Sequence, residues 1–308
     1  MTFSKKCGKI VSYVIETERT FKMSEIVTIK NDFLTVEINS MGAELHSVKN
    51  AEGKDLLWNG DPAVWAGRAP ILFPVCGGLK DDKYIHNGKE YHLPKHGFAK
   101  LYEYEIKEAS NDHAVFCLAS NDELKKMYPF DFKFVVSFTL CRNSVIIEYR
   151  TENLSSEKMY FSFGSHEAYA TPEGIEEYSV IFDKPLTLYN HLVDGKYSAI
   201  NSTLLIENEN EIPLKRDFFI HGALIFLDID FKAATLLHRA SGRKIRVDFD
   251  GFKNFLVWTK PDAKYICFEP WCGTPDGETC DGILAHKDSI SECEAGKYFS
   301  RRHTITFD

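Results

Sequence analysis

The sequence predicts an all-β protein, built as a sandwich or a barrel, from three observations. Aromatic residues make up 13% of the 308 residues, a composition that favours strands. Short runs that are apolar, or that alternate apolar and polar residues, recur along the chain. Turn dipeptides separate these runs, and short strands with such frequent turns are typical of sandwiches and barrels rather than of βαβ units.

The predicted strands are Phe33–Ile38, Ala114–Leu118, Phe132–Leu140, Val145–Tyr149, Met159–Phe163, Tyr178–Phe182, Lys244–Phe249, Phe255–Trp258, Tyr265–Phe268 and Thr304–Phe307. The turn signals are Asn87-Gly88, Asp194-Gly195, Ser241-Gly242, Asp250-Gly251 and Pro261-Asp262, and Cys141–Ser144 is predicted to close a hairpin. One helix of about two turns is expected over Asn121–Tyr128, where Asn121 or Asp122 caps the start and Pro129 stops it.

Composition narrows the class of protein. The net charge of −8 argues against nucleic-acid binding through a general basic field. No run approaches the roughly 20 apolar residues of a membrane helix, and charged residues interrupt the N-terminal apolar stretch before it reaches signal-peptide length. Eight cysteines without a Cys-x-x-Cys pair indicate reduced thiols and a cytoplasmic protein. We expect residues 1–22 to be an extension outside the main fold and residues 23–308 to form a single β domain.

Four stretches place polar, titratable groups in apolar or glycine-rich surroundings: Gly67–Pro74, Pro94–Phe98, Phe163–Tyr169 and Phe268–Gly273. His166 follows a strand-like run and Gly164, where backbone can approach a ligand, although a single histidine is more often structural. Glu269 directly follows an apolar strand, so it is either a structural ion pair or a general base with a raised pKa.

The other candidate residues are predicted to bind rather than react. His96 is four residues from His92, a metal-binding spacing on a helix, but Pro94 and Gly97 favour a loop histidine and no metal site. Arg68 could offer a fixed donor fork to substrate oxygens, or be an ordinary surface arginine. Trp271 could present an apolar face to a ligand ring, or belong to the core.

Together the four stretches resemble the galactose mutarotase-like (aldose 1-epimerase) family, and within it the LacX-type branch. The resemblance runs from about Ile26 to the C-terminus, and the order Arg, His, His, Glu is matched at Arg68, His96, His166 and Glu269. It implies a large antiparallel β-sandwich with a sugar site in a concave face. It also implies an isomerase that interconverts the α and β anomers of a free aldose.

In the mechanism that the resemblance implies, Glu269 takes the proton of the C1 hydroxyl while His166 protonates the ring oxygen. The sugar ring opens, the aldehyde end rotates, and the two residues reverse their roles to close the ring. Arg68, His96 and Trp271 would bind the sugar, and no metal or cofactor is required. The expected partner is a small sugar, with no nucleic acid and no membrane, and the protein is expected to be a monomer or a homodimer.

This sequence departs from the family pattern at two positions. Glu167 replaces the proline that usually follows the acid histidine, and Gly222 stands where the family often has an aspartate. These changes concern the choice of sugar more than the acid–base pair. Two other functions therefore stay open: a hexose-6-phosphate 1-epimerase that uses Arg68 and Lys95, and a sugar-binding protein without catalysis.

Overall fold

A computed structural model describes residues 24–194 and 197–308, with the backbone alone described for 192–194 and 197–201. Within these ranges it contains twenty strands, one short α-helix and five 3-10 turns. The strands, β1 to β20 in chain order, are Ile26–Lys30, Leu34–Asn39, Glu44–Asn50, Lys83–His86, Lys89–His92, Glu105–Ala109, His113–Ala119, Phe132–Cys141, Ser144–Asn153, Met159–Phe161, Glu167–Ala170, Tyr178–Asp194, Tyr197–Pro213, Leu224–Phe226, Ala233–His238, Lys244–Asp248, Asn254–Trp258, Tyr265–Trp271, Ser291–Cys293 and Tyr298–Phe307. The α-helix, α1, is Leu124–Met127, and the 3-10 turns are Lys80–Asp82, Ala99–Leu101, Ile175–Glu177, Arg216–Phe219 and Leu284–His286.

The strands form antiparallel sheets, the largest of which has nine strands in the order β13-β12-β15-β16-β20-β9-β8-β7-β6. A four-stranded sheet, β11-β18-β17-β14, packs against it. A three-stranded sheet of β1, β2 and β3 and the two-stranded pairs β4-β5 and β10-β19 complete the described sheets. This arrangement is a large antiparallel β-sandwich, so the predicted fold class is confirmed.

The four-stranded sheet has two differently used faces because successive strand residues point to opposite sides. On β18, Ile266 and Phe268 belong to the main core between the sheets. Cys267 and Trp271 point the other way and join two smaller apolar clusters. Every residue of β18 is buried, so Glu269 sits in one of the least solvated strands of the described chain.

Local turn chemistry fits the predicted hairpins. Arg142 and Asn143 connect β8 to β9, and Cys141 pairs with Ser144 in the ladder, as predicted. Asn87 and Gly88 connect β4 to β5 with φ values of 48° and 74°, which two-residue hairpin loops require.

The predicted helix is present but shorter than expected. The α1 helix has four residues, and Asn121 Oδ1 accepts hydrogen bonds from the N–H groups of Glu123 and Leu124. Tyr128, which precedes Pro129, is already extended. A residue before proline is pushed away from helical geometry, which ends the helix after one turn.

Two predictions concern residues outside the described ranges. The N-terminal extension, 1–22, lies wholly outside them, and the turn signal Asp194-Gly195 includes one such residue. Among the described residues, we find no helix with the length and apolar character needed to cross a membrane.

Candidate active site

His166 and Glu269 come together through the pairing of β11 with β18. Glu167, the first residue of β11, is in register with Phe268 of β18. His166 and Glu269 are the next residues along the two antiparallel strands, so both side chains leave the sheet on the face opposite the main core. The sheet therefore joins two chain segments that lie far apart in sequence.

The two side chains are in contact and almost excluded from solvent. His166 Nε2 lies 3.3 Å from Glu269 Oε1, and the two residues are 8% and 2% exposed. Burial lowers the pKa of His166 to about 3 and raises the pKa of Glu269 well above its ordinary value. Because each group is held away from its charged form, the pair favours one titratable proton, on Glu269, over an ion pair.

His96 lies beside this pair in the loop that follows β5, as predicted. Its Nδ1 accepts a hydrogen bond from the Gly77 N–H at 3.1 Å, which leaves Nε2 as an N–H donor. The His96 and His166 rings meet edge to face, with centroids 6.0 Å apart. Burial, and after it the proximity of His166, lowers the pKa of His96 well below its ordinary value. His96 is therefore a neutral hydrogen-bond donor near pH 7.

A cleft of about 660 Å³ lies over the three residues. Indole rings form much of its lining: Trp65 and Trp258 lie with ring centroids 5.3 and 5.4 Å from that of His166, and Trp271 lies 5.4 Å from His96. Trp271 is fixed by a 3.1 Å hydrogen bond from Nε1 to the Ser165 carbonyl. Apolar rings around a few convergent polar groups are typical of small-molecule sites.

Close backbone approach holds the loop that carries His96. Gly97 has a φ of 67°, and a Cβ on it would lie 2.2 Å from the Phe73 carbonyl oxygen. The same oxygen accepts hydrogen bonds from the N–H groups of Phe98 and Ala99. Glycine is therefore required by both conformation and space at this position.

Arg68 is the predicted site residue that the structure does not bring into the cleft. Its Nη1 donates a hydrogen bond to the His46 carbonyl at 2.5 Å, and its side chain packs on Gly60. Its backbone N–H donates to Glu44 Oε1 at 2.8 Å, as does that of Ala69. The structure therefore places Arg68 next to the cleft but not in its lining, with its guanidinium held by a backbone carbonyl, and sugar binding by Arg68 stays a prediction.

One set of donor atoms beside the cleft could hold a metal ion. One ring nitrogen of His166, the Cys267 thiol and the Glu269 carboxylate all lie within 4.8 Å of one another, and all three residues are buried. A metal-binding histidine usually donates its other ring N–H to a partner. His166 Nδ1 has no hydrogen-bond partner within the described residues, so this set lacks the support that metal sites usually have.

Comparison with known proteins decides the family. The family model described as aldose 1-epimerase matches residues 25–289. This chain belongs to the aldose 1-epimerase family. Protein LacX of Lactococcus lactis subsp. lactis, the plasmid form, is 31% identical over 280 residues, which cover 86% of this chain and 94% of LacX.

Two solved structures are similar along nearly their whole length. A galactose mutarotase related enzyme from Lactobacillus acidophilus is 30% identical with a TM-score of 0.87, covering 92% of this chain and 97% of that one. A galactose mutarotase-like protein from Lactobacillus casei is 25% identical with a TM-score of 0.86, covering 92% and 100%. The predicted family and its LacX-type branch are confirmed.

Several residues that were not predicted as site residues line the cleft of this aldose 1-epimerase family member. They come from two strands, a 3-10 turn and two loops, with no shared spacing, and are Glu44, Trp65, Lys100, His221, Leu256 and Trp258. Gly222 also lines the cleft, and no atom lies within 4 Å of the position that its Cβ would take. The cleft is thus open at the position where the resemblance led us to expect an aspartate.

Proposed function

We propose that this protein is an aldose 1-epimerase that interconverts the α and β anomers of an aldose by general acid–base catalysis at His166 and Glu269. The observation that carries the proposal is the buried 3.3 Å contact between these two groups at the base of the cleft. Ring opening of a hemiacetal needs one proton removed and one delivered at adjacent oxygens, and a pair that holds one proton can do both. We further propose that residues 23–308 form the single domain that carries this activity.

The reaction balances without net consumption of a proton. Transfer of the proton from Glu269 to His166 gives a carboxylate and an imidazolium. The carboxylate takes the C1 hydroxyl proton, the bond between C1 and the ring oxygen breaks, and His166 protonates that oxygen. Rotation about the C1–C2 bond and reversal of the steps closes the ring on the other face. The Nε2–H of His96 is suited to stabilise negative charge that develops on a sugar oxygen, and Trp271 offers the sugar an apolar face.

The experiment that tests the proposal measures exchange between anomers by NMR for a panel of free and phosphorylated aldoses. Exchange above the uncatalysed rate for at least one sugar supports it. The alternative of a binding protein predicts sugar binding with no acceleration for any member of the panel. That result would refute the enzymatic proposal.

The pKa shifts predict an unusual pH profile for kcat/KM. As pH rises through the raised pKa of Glu269, this glutamate loses its proton. No proton is then left for His166 to deliver to the ring oxygen, and the rate falls. On the acid side we expect no loss of activity until about pH 3, where His166 becomes protonated while Glu269 still holds its proton, so that no base remains. Polarimetry from pH 4 to 10, with buffer-catalysed exchange subtracted, checks this. A loss of activity as pH falls through the ordinary histidine pKa of 6.5 would contradict it.

A phosphorylated aldose is the second candidate substrate, and two lysines of the cleft favour it. Lys95 and Lys100 both line the cleft, and Lys100 Nζ lies 3.4 Å from the Lys95 carbonyl oxygen. Burial, and after it the proximity of Lys95, lowers the pKa of Lys100. Within the described ranges neither lysine lies within ion-pair distance of a carboxylate, although Glu44 is near enough to act on the pKa of Lys100. An anionic group on the sugar would therefore find two ammonium groups that no ion pair occupies.

If the substrate is phosphorylated, replacement of Lys100 changes the preference between sugars. For Lys100→Met we expect the ratio of kcat/KM for the phosphorylated aldose to that for the free aldose to fall about 10-fold or more, because a charge-assisted hydrogen bond contributes about 1.5–3 kcal/mol. Lys107→Met, on exposed strand β6, is the matched control that removes one positive charge away from the cleft. An unchanged ratio in Lys100→Met would exclude this lysine from phosphate recognition.

A further inference from the structure

A second glutamate–histidine pair lies directly behind the first. Glu167 follows His166 in sequence, so its side chain points to the opposite face of the sheet, into the main core. Glu167 Oε1 lies 3.1 Å from Nε2 of His303 on β20. The two residues are 2% and 1% exposed, so neither can touch a substrate in the cleft. This pair links β11 of the four-stranded sheet, directly after His166, to β20 of the nine-stranded sheet.

The surroundings of the pair show that it is not explained by packing alone. Burying two charged or polar groups costs more than an apolar pair of the same volume would. The Tyr149 ring stacks on His303 with centroids 5.7 Å apart, and the hydroxyls of Tyr149 and Tyr169 are buried without a hydrogen-bond partner in the described ranges. Burial and then the nearby Glu167 carboxylate raise the pKa of both tyrosines. The pair therefore sits in a small polar compartment within an otherwise aromatic core.

The geometry of His166 depends on the backbone at this point. The ring is held between Trp65 and Trp258 by apolar contact, and its Nδ1 makes no hydrogen bond within the described residues. The 3.3 Å approach of His166 Nε2 to Glu269 Oε1 does not reach hydrogen-bond geometry, because that oxygen has no hydrogen-bond partner within the described residues. Proton transfer between the two groups is therefore sensitive to a small displacement of β11. A misplacement of about 1 Å can lower a rate about 100-fold.

We propose that Glu167 is a positioning residue for His166: its hydrogen bond to His303 holds β11 at the separation from β18 that proton transfer requires. This inference rests on the proposed epimerase function, because the geometry matters only if His166 and Glu269 exchange protons with a sugar. The resemblance led us to expect proline at position 167, and the inference gives Glu167 a role in catalysis rather than in the choice of sugar.

The test compares Glu167→Met, which keeps the length of the side chain but not the hydrogen bond, with Glu167→Gln, whose amide oxygen can still accept from His303. We expect Glu167→Met to lower kcat about 10- to 100-fold with KM within about 2-fold, and Glu167→Gln to retain most of kcat. The double replacement Glu167→Met with His303→Leu should recover stability, because an apolar pair replaces the polar one, while kcat stays low. The double variant keeps the test available if Glu167→Met alone does not fold.

Asn153→Ala is the matched control, because Asn153 is fully buried and hydrogen-bonded to the Glu157 and Cys293 carbonyls, away from the cleft. It should lower the unfolding temperature without lowering kcat. The inference is overturned if Glu167→Met, or the double variant, shows the kcat of wild type, or if Glu167→Gln is no better than Glu167→Met. Histidine NMR spectra distinguish a failure of the positioning inference from a failure of the proposed epimerase function. If no aldose is turned over, a shifted His166 signal in Glu167→Met still reports positioning, and an unshifted one refutes it.

Discussion

Glu269→Gln is expected to slow anomer exchange by about 10³-fold, with a similar loss for His166→Asn. General acid–base catalysis by a positioned side chain contributes about 10²- to 10⁴-fold, and each variant removes one of the two proton carriers. Because the two groups act as one pair, the double variant should lose little more than either single variant. NMR exchange kinetics on the best aldose of the panel measure all three. Rates within a few-fold of wild type in both single variants would refute the acid–base assignment.

Folding of Glu269→Gln can be checked independently through the pH dependence of stability. Above the ordinary pKa of 4.5 the native wild type keeps a proton on Glu269 that the unfolded chain has lost, so the contribution of this proton to stability should fall as pH rises towards the raised pKa of Glu269. The slope is about 1.4 kcal/mol per pH unit. His166, whose pKa is lowered, contributes the opposite slope only below about pH 6.5. Glutamine carries no such proton, so the difference in unfolding free energy should shift in favour of the variant as pH rises, as denaturant unfolding at pH 5, 7 and 9 would show.

Gly97→Ala is expected to have the largest effect on stability. The added Cβ meets the Phe73 carbonyl oxygen at 2.2 Å and cannot be accommodated by moving a side chain, because the obstacle is backbone. Steric overlap together with the positive φ of 67° should cost about 3–5 kcal/mol, enough to unfold a marginal protein. Any folded fraction should have low activity, because His96 precedes this glycine. Thermal unfolding followed by circular dichroism measures the loss.

Gly88→Ala separates the cost of steric overlap from the cost of the positive φ. Gly88 has a similar φ of 74°, but no atom lies within 4 Å of the position that its Cβ would take. The control variant therefore carries the conformational cost alone, about 1–2 kcal/mol. If Gly97→Ala is no worse than Gly88→Ala, the contact between the two loops is not rigid, and the account of how His96 is held fails.

Local features of the chain predicted the strands well. Alternation along Phe132–Leu140 and the two-residue connection at Arg142 and Asn143 determine the β8–β9 hairpin, because periodicity and turn chemistry act over a few residues. The apolar run before Glu269 likewise indicated a fully buried strand. The pairing of β11 with β18 could not be derived from such patterns, since it depends on contacts between distant segments. Only the resemblance to a family indicated that His166 and Glu269 meet.

The residues of the cleft were predicted in part, and the placement of Arg68 outside its lining has a physical reason. A sequence indicates that an arginine is near a site, but the direction of a long side chain depends on which acceptor it meets, and here the His46 carbonyl holds it behind the cleft. Trp65 and Lys100 were missed because loop residues carry no periodic signal. His96 was easier to find, because the glycine after it marks a backbone conformation that few other residues adopt.

The position of β20 in the nine-stranded sheet has a consequence for biosynthesis. It pairs with β16 on one side and with β9 on the other, so it joins two groups of strands that are otherwise separate in that sheet. It is also the twentieth strand in chain order, and it carries His303. A nascent chain on the ribosome therefore presents two unpaired strand edges until Tyr298–Phe307 has emerged, a period in which edge-to-edge aggregation competes with folding. We expect chaperones to bind the nascent chain mainly in that interval. His303, the partner of Glu167, becomes available only when the interval ends.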